Sequence, residues 1–375
     1  MTPTDLQSSP PTTIEYENLE LSNRRFGVEL RAAFDRVFAK GWYVLGSEVA
    51  DFEREFSAFV GSAHCVGVAN GLDALTLSLK ALDLPSGSDV LVASNTYIAT
   101  ILAVLNAGHR PVLVEPDLRT YNIDPQRLAR AMTMRTRAIC VTHLYGKACR
   151  MDAIGEFARE RGLAVVEDCA QSHGAMLRGR MTGSFGNAGC FSFYPTKNLG
   201  ALGDAGAITT DDAALADRLR HLRNYGSAKR YVNTYVGVNS RLDEMQAAFL
   251  RVKLRHLDEI TAHKQQLAGV YFEALPPELV LPLREDDAVD VFHIFAARTP
   301  RRDELRAYLL EHGIKTDVHY PIAPHRQPAM QGVLEGEWPV SDEIHATELS
   351  LPISFGTSVE QVSEVCRRIG IFFGR

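Results

Sequence analysis

From about residue 60, short apolar runs rich in β-branched residues alternate with longer segments that carry apolar residues at helical spacing. The apolar runs predict five strands, at residues 65–68, 90–93, 111–114, 138–142 and 164–167. The intervening segments predict four helices, at residues 72–82, 98–107, 125–131 and 152–161. Because strands and helices alternate, we expect an α/β fold whose largely parallel sheet is covered by helices on both faces.

The two ends of the chain follow different patterns. Residues 1–13 are rich in Pro, Ser and Thr and predict a mobile arm, and a helical pattern follows at 26–39. Residues 242–274 keep helical spacing throughout, which predicts one or two long helices. Beyond them we expect a compact α+β unit, with strands at 291–297 and 315–319 and helices at 303–312 and 359–369. The chain thus divides into an arm (1–13), a large domain (14–255) and a small C-terminal domain (256–375).

Composition narrows the functional classes. The chain has 375 residues, with 40 basic and 46 acidic side chains and a formal net charge of −6, so nothing favours a nucleic-acid or membrane partner. No apolar run reaches the length of a membrane span, and the first residues do not resemble a signal peptide, which favours a cytoplasmic location. The six cysteines form no C-x-x-C pair, so we expect no metal site and interpret them as small buried thiols.

One lysine stands in an unusual setting. Lys197 lies in residues 190–206, CFSFYPTKNLGALGDAG, between aromatic residues and a glycine-rich stretch, whereas surface lysines usually have polar neighbours. A buried ammonium has a lowered pKa, which imine chemistry requires. The alternative is a lysine that extends from a strand end into solvent. The glycines alone form neither G-x-G-x-x-G nor a Walker A motif.

Two other segments place polar groups where a predicted strand ends. In residues 68–75, VANGLDAL, Asn70 can cap the following helix and Gly71 permits a tight turn, so this helix start is a candidate phosphate site. In residues 163–174, LAVVEDCAQSHG, the strand ends in Glu167 and Asp168, which puts a carboxylate at the ligand-binding edge of the sheet. A plain strand-to-helix turn and a helix-capping aspartate are the respective alternatives.

These three segments and residues 237–248, GVNSRLDEMQAA, follow one another in a consistent order. Together they resemble the DegT/DnrJ/EryC1/StrS family, which are pyridoxal 5'-phosphate (PLP)-dependent nucleotide-sugar aminotransferases. The resemblance runs from about residue 14 to the C-terminus. It implies the aspartate-aminotransferase fold (PLP fold type I), in which a large domain with a mostly parallel sheet carries a smaller α+β C-terminal domain.

The resemblance implies a role for each candidate site residue. Lys197 would hold PLP as a Schiff base, with pyridoxamine phosphate as the alternate form, and Asp168 would keep the pyridine nitrogen protonated so that the ring accepts electrons. The phosphate would contact the backbone of Gly71 and Leu72 and the hydroxyl of Ser192. The remaining residues would stack on the ring (Tyr97), approach its phenolic oxygen (Gln171), reach the phosphate from the second subunit of a homodimer (Asn239) and close over the sugar (His319, Tyr320).

The reaction is also implied by the resemblance. L-Glutamate would donate the amino group to a nucleotide-linked keto-sugar, and Lys197 would move the proton between substrate and cofactor. Deoxygenating members of the family have histidine at this position, so the lysine favours transamination. Residues 194–204, YPTKNLGALGD, are similar to the motif of members that aminate C3 of dTDP-3-keto-6-deoxyhexoses.

Three alternatives remain open at this stage. Two are enzymes, a C4 aminotransferase acting on a UDP- or GDP-4-keto-sugar and an inosose aminotransferase. The third is a catalytically inactive PLP-binding regulator. A regulator predicts a lost Lys197 or Asp168 or an added DNA-binding module, and the sequence contains neither change.

Overall fold

A computed structural model describes residues 13–229 and 231–375. Its α-helices are α1 (Leu19–Arg24), α2 (Gly27–Lys40), α3 (Ser47–Val60), α4 (Gly71–Ala81), α5 (Ile98–Asn106), α6 (Leu128–Ala131), α7 (Met151–Arg161), α8 (Ala213–Leu222), α9 (Glu244–Leu254), α10 (Leu257–Ala274), α11 (Arg302–Glu311), α12 (Pro339–Thr347) and α13 (Val359–Phe372). Its strands are β1 (His64–Val68), β2 (Asp89–Ala93), β3 (Arg110–Val114), β4 (Thr136–Thr142), β5 (Ala164–Asp168), β6 (Met176–Leu177), β7 (Arg180–Met181), β8 (Ala188–Ser192), β9 (Gly206–Thr210), β10 (Ser227–Lys229), β11 (Val232–Asn233), β12 (Ala288–Val289), β13 (Phe295–Arg298) and β14 (Glu348–Leu351). The predicted arm lies, apart from residue 13, outside the described residues.

The central sheet has seven strands in the order β1-β9-β8-β5-β4-β2-β3. Strand β9 is antiparallel to both of its neighbours, and the other adjacent pairs are parallel. The five strands predicted from apolar runs correspond to β1 to β5, with ends that agree within two residues. The prediction of a largely parallel sheet is therefore confirmed.

Alternate residues of the buried strands face two different helix layers. Val66 and Cys190 pack with α4 and α8 on one face. Their chain neighbours Cys65 and Phe191 pack with α2, α3 and α9 on the other. Because successive side chains of a strand point in opposite directions, the sheet is buried on both faces, as predicted. All six cysteines are buried free thiols, which also agrees with the sequence interpretation.

Strands β8 and β9 were not predicted, although they flank the loop that carries Lys197. Both contain glycine, which weakens the strand signal. The glycines are needed because backbones approach closely here. A Cβ atom on Gly189 would lie 2.4 Å from the Cα of Gly183, and one on Gly206 would lie 2.5 Å from the carbonyl carbon of Asn70. This close packing brings the lysine loop next to the start of α4.

The last third of the chain builds a separate core around α10, α11, α13 and the β13–β14 pair, and Ile14 joins it. The segment 242–274, predicted as one or two long helices, forms two, α9 and α10. The division of the chain into domains at residue 255 stays a prediction.

Both strands predicted in this part of the chain need correction. Residues 291–294 are not part of a strand, because their backbone bonds to the 145–146 loop instead, and only Phe295–Arg298 pairs with β14. Residues 315–319 form no strand either. Their backbone hydrogen bonds are divided between Ile14 and Ser350, so no continuous ladder forms.

Candidate active site

The carboxyl ends of β1, β2, β4, β5 and β8 border one cavity of about 570 Å³. Open α/β sheets bind their ligands at this edge. The cavity is lined by nine of the site residues proposed from the sequence, namely Gly71, Leu72, Tyr97, Asp168, Gln171, Ser192, Lys197, His319 and Tyr320. The tenth, Asn239, lies elsewhere.

The N-terminus of α4 faces Ser192 at the end of β8. Asn70 caps the helix, because its side-chain oxygen accepts a hydrogen bond from the N–H of Asp73 at 2.8 Å. The N–H groups of Gly71 and Leu72 precede the helical ladder and have no partner within it. A Cβ atom on Gly71 would lie 2.6 Å from the Cβ of Ser192, so only glycine allows this approach. Two N–H groups, a hydroxyl and the positive end of the helix dipole make a site suited to a phosphate.

Asp168 ends β5 and is buried. One of its oxygens accepts a hydrogen bond from the hydroxyl of Thr100 at 2.8 Å, and the other accepts one from the N–H of Ala170 at 3.1 Å. Burial raises the pKa of this carboxyl, while the two hydrogen bonds and the positive charge of Lys197 oppose the rise. No salt bridge engages Asp168 in the described part of the chain. A buried carboxylate of this kind is prepared for a cationic partner.

Lys197 lines the same cavity just after β8. Burial lowers the pKa of its ammonium to about 8, with Asp168 opposing the shift and Lys264 adding to it. At pH 7 a pKa near 8 leaves about a tenth of the amine neutral, whereas the ordinary value leaves about 0.03%. The Nζ atom lies 3.5 Å from Nε2 of His293. The lysine is therefore prepared to act as a nucleophile and as a base.

Gln171 and two tyrosines form one wall of the cavity. The Oε1 atom of Gln171 accepts a hydrogen bond from the N–H of Tyr145 at 2.6 Å, and its Nε2 donates one to the hydroxyl of Tyr320 at 2.9 Å. The ring of Tyr97, immediately before α5, is about half exposed, and its centroid lies 5.0 Å from that of Tyr320. Aromatic rings in this position can pack against a planar ligand.

His319 reaches the cavity from the C-terminal part of the chain. Its backbone N–H donates a hydrogen bond to Glu348 at 2.7 Å, and its ring Nδ1 lies 2.8 Å from the hydroxyl of Ser350. Burial lowers the pKa of His319 to about 4, with Asp317 opposing the shift and Lys197 adding to it. The imidazole is therefore neutral at neutral pH.

Asn239 is exposed and lines a second cavity, of about 340 Å³, together with Arg241 and Asp243. Asp204 borders both cavities. Asn239 does not line the 570 Å³ cavity of its own chain. Its predicted contact with the phosphate therefore requires a second copy of the chain.

Three polar residues of the site were missed in the sequence. Thr100 donates to Asp168, His293 lies beside Lys197, and Asp204 borders the cavity. A signal for Thr100 was present, because it is a polar residue in the otherwise apolar first turns of α5. His293 carried the same kind of signal, because it is the one polar residue of residues 291–297, but we interpreted that run as a strand.

A buried cluster of His143, Glu167 and Cys169 lies behind the cavity and has the composition of a metal site. The ligand atoms of His143 and Glu167 already have hydrogen-bond partners. Nε2 of His143 lies 2.9 Å from Glu167, and its Nδ1 accepts the N–H of Cys149. Glu167 also accepts three backbone N–H groups from the 183–186 turn. These bonds fix the end of β5, and with it the position of Asp168.

A comparison with known families decides the affiliation of the chain. The profile of the DegT/DnrJ/EryC1/StrS aminotransferase family matches residues 25–370. The chain belongs to this family. The resemblance proposed from the motifs is thus confirmed, and the cavity described above is the expected position of an aminotransferase site.

Two curated relatives and one solved structure are similar over nearly the whole chain. A protein of Aneurinibacillus thermoaerophilus named dTDP-3-amino-3,6-dideoxy-alpha-D-galactopyranose transaminase is 50% identical, over 95% of this chain and 98% of its own. One of Streptomyces venezuelae named dTDP-3-amino-3,4,6-trideoxy-alpha-D-glucose transaminase is 46% identical, over 91% of each chain. The crystal structure of S. venezuelae DesV in complex with a ketimine intermediate superposes with a TM-score of 0.94 at 44% identity, over 97% of this chain and 99% of that one. The aminotransferase fold is therefore confirmed.

No α-helix in the described part of the chain is both long enough and apolar enough to cross a membrane.

Proposed function

We propose that this aminotransferase transfers an amino group from L-glutamate to C3 of a dTDP-3-keto-6-deoxyhexose, with PLP bound covalently to Lys197. The observation that carries the proposal is the pairing of Asp168 and Lys197 in one cavity. Asp168 is a buried carboxylate without a salt bridge among the described residues, and Lys197 is an amine whose pKa is lowered to about 8. The relatives named above act at C3 of dTDP-sugars, which supports the choice of substrate.

The residues of the cavity fit the shape and charge of PLP. The N–H groups of Gly71 and Leu72 and the hydroxyl of Ser192 would hold the phosphate, and Asp168 would hold the protonated ring nitrogen. Tyr97 would cover the ring, and Gln171 would lie near the phenolic oxygen. When bound, PLP supplies an electron sink that stabilises negative charge on the substrate carbon.

Lys197 has two tasks in this scheme. Its neutral amine would hold the cofactor, and the same nitrogen would move a proton to and from the reacting carbon of the substrate. The lowered pKa serves both tasks, because an amine must be unprotonated to attack or to accept a proton. His319 and Tyr320, which line the same cavity, would contact the sugar.

Asn239 supports a homodimer with shared active sites. The residue is exposed and lies outside the main cavity of its own chain, so it could reach a phosphate only in the neighbouring subunit. Large apolar side chains near it, among them Tyr43, Val44 and Val238, are also exposed. Exposed apolar groups of this size are typical of a surface that another subunit covers. We place the enzyme in the cytoplasm.

The first prediction concerns the phosphate site. Gly71→Ala should weaken PLP binding by at least about tenfold, because the added methyl must displace Ser192 or the start of α4. The Kd for PLP is measured by fluorescence titration of the apoenzyme, together with its Tm. Gly155→Ala in α7 is the matched control, since a Cβ atom there meets nothing within 4 Å. Equal Kd values for the two variants would contradict the assignment.

The second prediction concerns the substrate. Purified enzyme with PLP and L-glutamate should aminate dTDP-3-keto-6-deoxyhexoses, and NMR should place the new amine at C3. A panel that also contains dTDP-4-keto, UDP-4-keto and GDP-4-keto sugars and an inosose separates the alternatives. Amination at C4 or of the inosose would replace the C3 proposal. Absence of turnover on every member, with PLP bound, would favour the regulator.

A further inference from the structure

A short chain of hydrogen bonds runs from the cavity into the C-terminal core. The ring Nδ1 of His319 lies 2.8 Å from the hydroxyl of Ser350, and that hydroxyl lies 2.5 Å from Oε1 of Glu348. The other oxygen of Glu348 accepts the backbone N–H of His319 at 2.7 Å. Glu348 and Ser350 are fully buried, at 0% exposure, on strand β14, so solvent does not interrupt the chain.

Glu348 has no salt bridge in the described part of the chain. Burial raises the pKa of this carboxyl to about 8, opposed by Ser350, His319 and Arg302 and assisted by Asp317. The guanidinium of Arg302 forms an ion pair with Asp303 and donates to backbone carbonyls, including that of Glu348 itself at 3.0 Å. The carboxyl is therefore protonated at neutral pH and loses its proton as the pH rises through about 8.

Lys197, whose charge acts on His319, has a pKa lowered to about 8 and therefore titrates in the same range as Glu348. Burial raises the pKa of Tyr16, Tyr145 and Tyr320, so these phenols stay neutral between pH 6 and 9. Arg298, opposite Glu348 in the β13–β14 pair, forms an ion pair with Glu343 at 2.9 Å.

A serine hydroxyl has a single proton, so it cannot donate to both of its neighbours at once. When Glu348 is protonated, it donates to Ser350, and Ser350 then donates to Nδ1 of His319. The ring proton must in that case reside on Nε2. When Glu348 is ionised, Ser350 donates to the carboxylate and accepts the N–H of Nδ1, which leaves Nε2 as an acceptor. The two arrangements contain the same heavy-atom contacts.

We propose that Glu348 is a positioning residue that selects the tautomer of His319 through Ser350, and thereby decides whether His319 presents a hydrogen-bond donor or acceptor to the substrate. The structure supplies the geometry that this requires. Nδ1 is committed to Ser350, the ring lines the cavity, and Nε2 makes no hydrogen bond within the described residues. The nearest carboxylate to Nε2 is that of Asp317, at 4.0 Å.

The consequence for catalysis rests on the proposed function. While Glu348 is protonated, Nε2 of His319 carries the ring proton and can donate a hydrogen bond to a ketone or hydroxyl oxygen of the keto-sugar. The KM for the sugar should therefore rise about fivefold as the pH passes from 7 to 9, the effect of one net hydrogen bond. Glu348→Gln should remove this rise, because an amide does not titrate.

The direct test does not depend on turnover. The protein is labelled with 15N-histidine, and the ring 15N shifts are followed from pH 6 to 9, with His319 assigned among the twelve histidines by its loss in His319→Gln. In the wild-type enzyme the proton should move from Nε2 to Nδ1 with a midpoint near pH 8. In Glu348→Gln the side-chain carbonyl of the glutamine should accept the backbone N–H of His319, and its NH2 group should donate to the hydroxyl of Ser350. Ser350 then donates to Nδ1 of His319, so the ring proton should stay on Nε2 at every pH.

Ser350→Ala breaks the chain while leaving Glu348 in place, so the tautomer of His319 should no longer change with pH. A wild-type spectrum without the change, or a change with the same midpoint in Glu348→Gln or Ser350→Ala, would overturn the proposal. Because Ser350→Ala alters no charge, it tests the link between Glu348 and the tautomer of His319 even if Glu348→Gln does not fold. If the tautomer changes as expected but no sugar is aminated, the proposed function fails and the inference about Glu348 stands.

Discussion

Replacing Lys197 with alanine is expected to lower the kcat for sugar amination by at least about 10⁴-fold. The substitution removes the only nitrogen that we assign to proton transfer, and water cannot take its place with the same geometry. PLP should still bind, because the start of α4, Ser192 and Asp168 are untouched. Steady-state kinetics with L-glutamate and the keto-sugar measure the loss, and equilibrium dialysis measures the retained cofactor.

Two further lysine substitutions make the result specific. Lys197→Arg keeps the positive charge but cannot form an imine, so it should be as inactive as the alanine variant. Lys80→Ala removes an exposed lysine from α4, away from the cavity, and should change kcat by less than about twofold. Full activity of Lys197→Ala or Lys197→Arg would refute the assignment of the catalytic lysine.

Asp168→Asn is the second large effect, with an expected loss of about 100- to 1,000-fold in kcat. The amide keeps the size of the side chain and can still accept the hydrogen bond of Thr100, but it carries no charge to hold a protonated ring nitrogen. The electron sink is weakened, so the loss should appear in kcat more than in KM. Removing a nearby negative charge should also lower the pKa of Lys197, because Asp168 raises it.

Thr100→Val tests a smaller change at the same carboxylate. It removes the 2.8 Å hydrogen bond to Asp168 but leaves the charge, so kcat should fall only about fivefold. Single-turnover rates with L-glutamate compare the two variants before any sugar is involved. Turnover of Asp168→Asn equal to that of the wild type would show that another group holds the ring nitrogen.

The sheet and most of the site were accessible from the sequence because each depends on local pattern. Strands buried on both faces appear as continuous apolar runs, and β1 to β5 were predicted in this way. Gly71, Asp168 and Lys197 stand where such strands end or loops follow, and the topology of an open sheet brings these ends together. The motifs of the family then assigned their chemistry.

The features that the sequence did not predict depend on contacts between distant parts of the chain. The segment at 315–319 has strand-like residues, but Ile14 and Ser350 divide its hydrogen bonds. Glu348 lies in an ordinary stretch of sequence, and the backbone pairing of Asp317 with Ser350 places it next to His319. Asn239 was expected to reach the phosphate from the second subunit of a homodimer, and that assignment remains a prediction.

Covalent attachment of the cofactor to Lys197 is the central claim, and chemical trapping tests it most directly. Two other lysines compete for this role, since Lys253 and Lys264 are also buried with pKa values lowered to about 8. The holoenzyme is reduced with borohydride, digested, and the labelled peptide is sequenced by mass spectrometry. We predict that the reduced cofactor is found on Lys197 alone. A label on Lys253 or Lys264, or no covalent label while PLP is bound, would contradict the account.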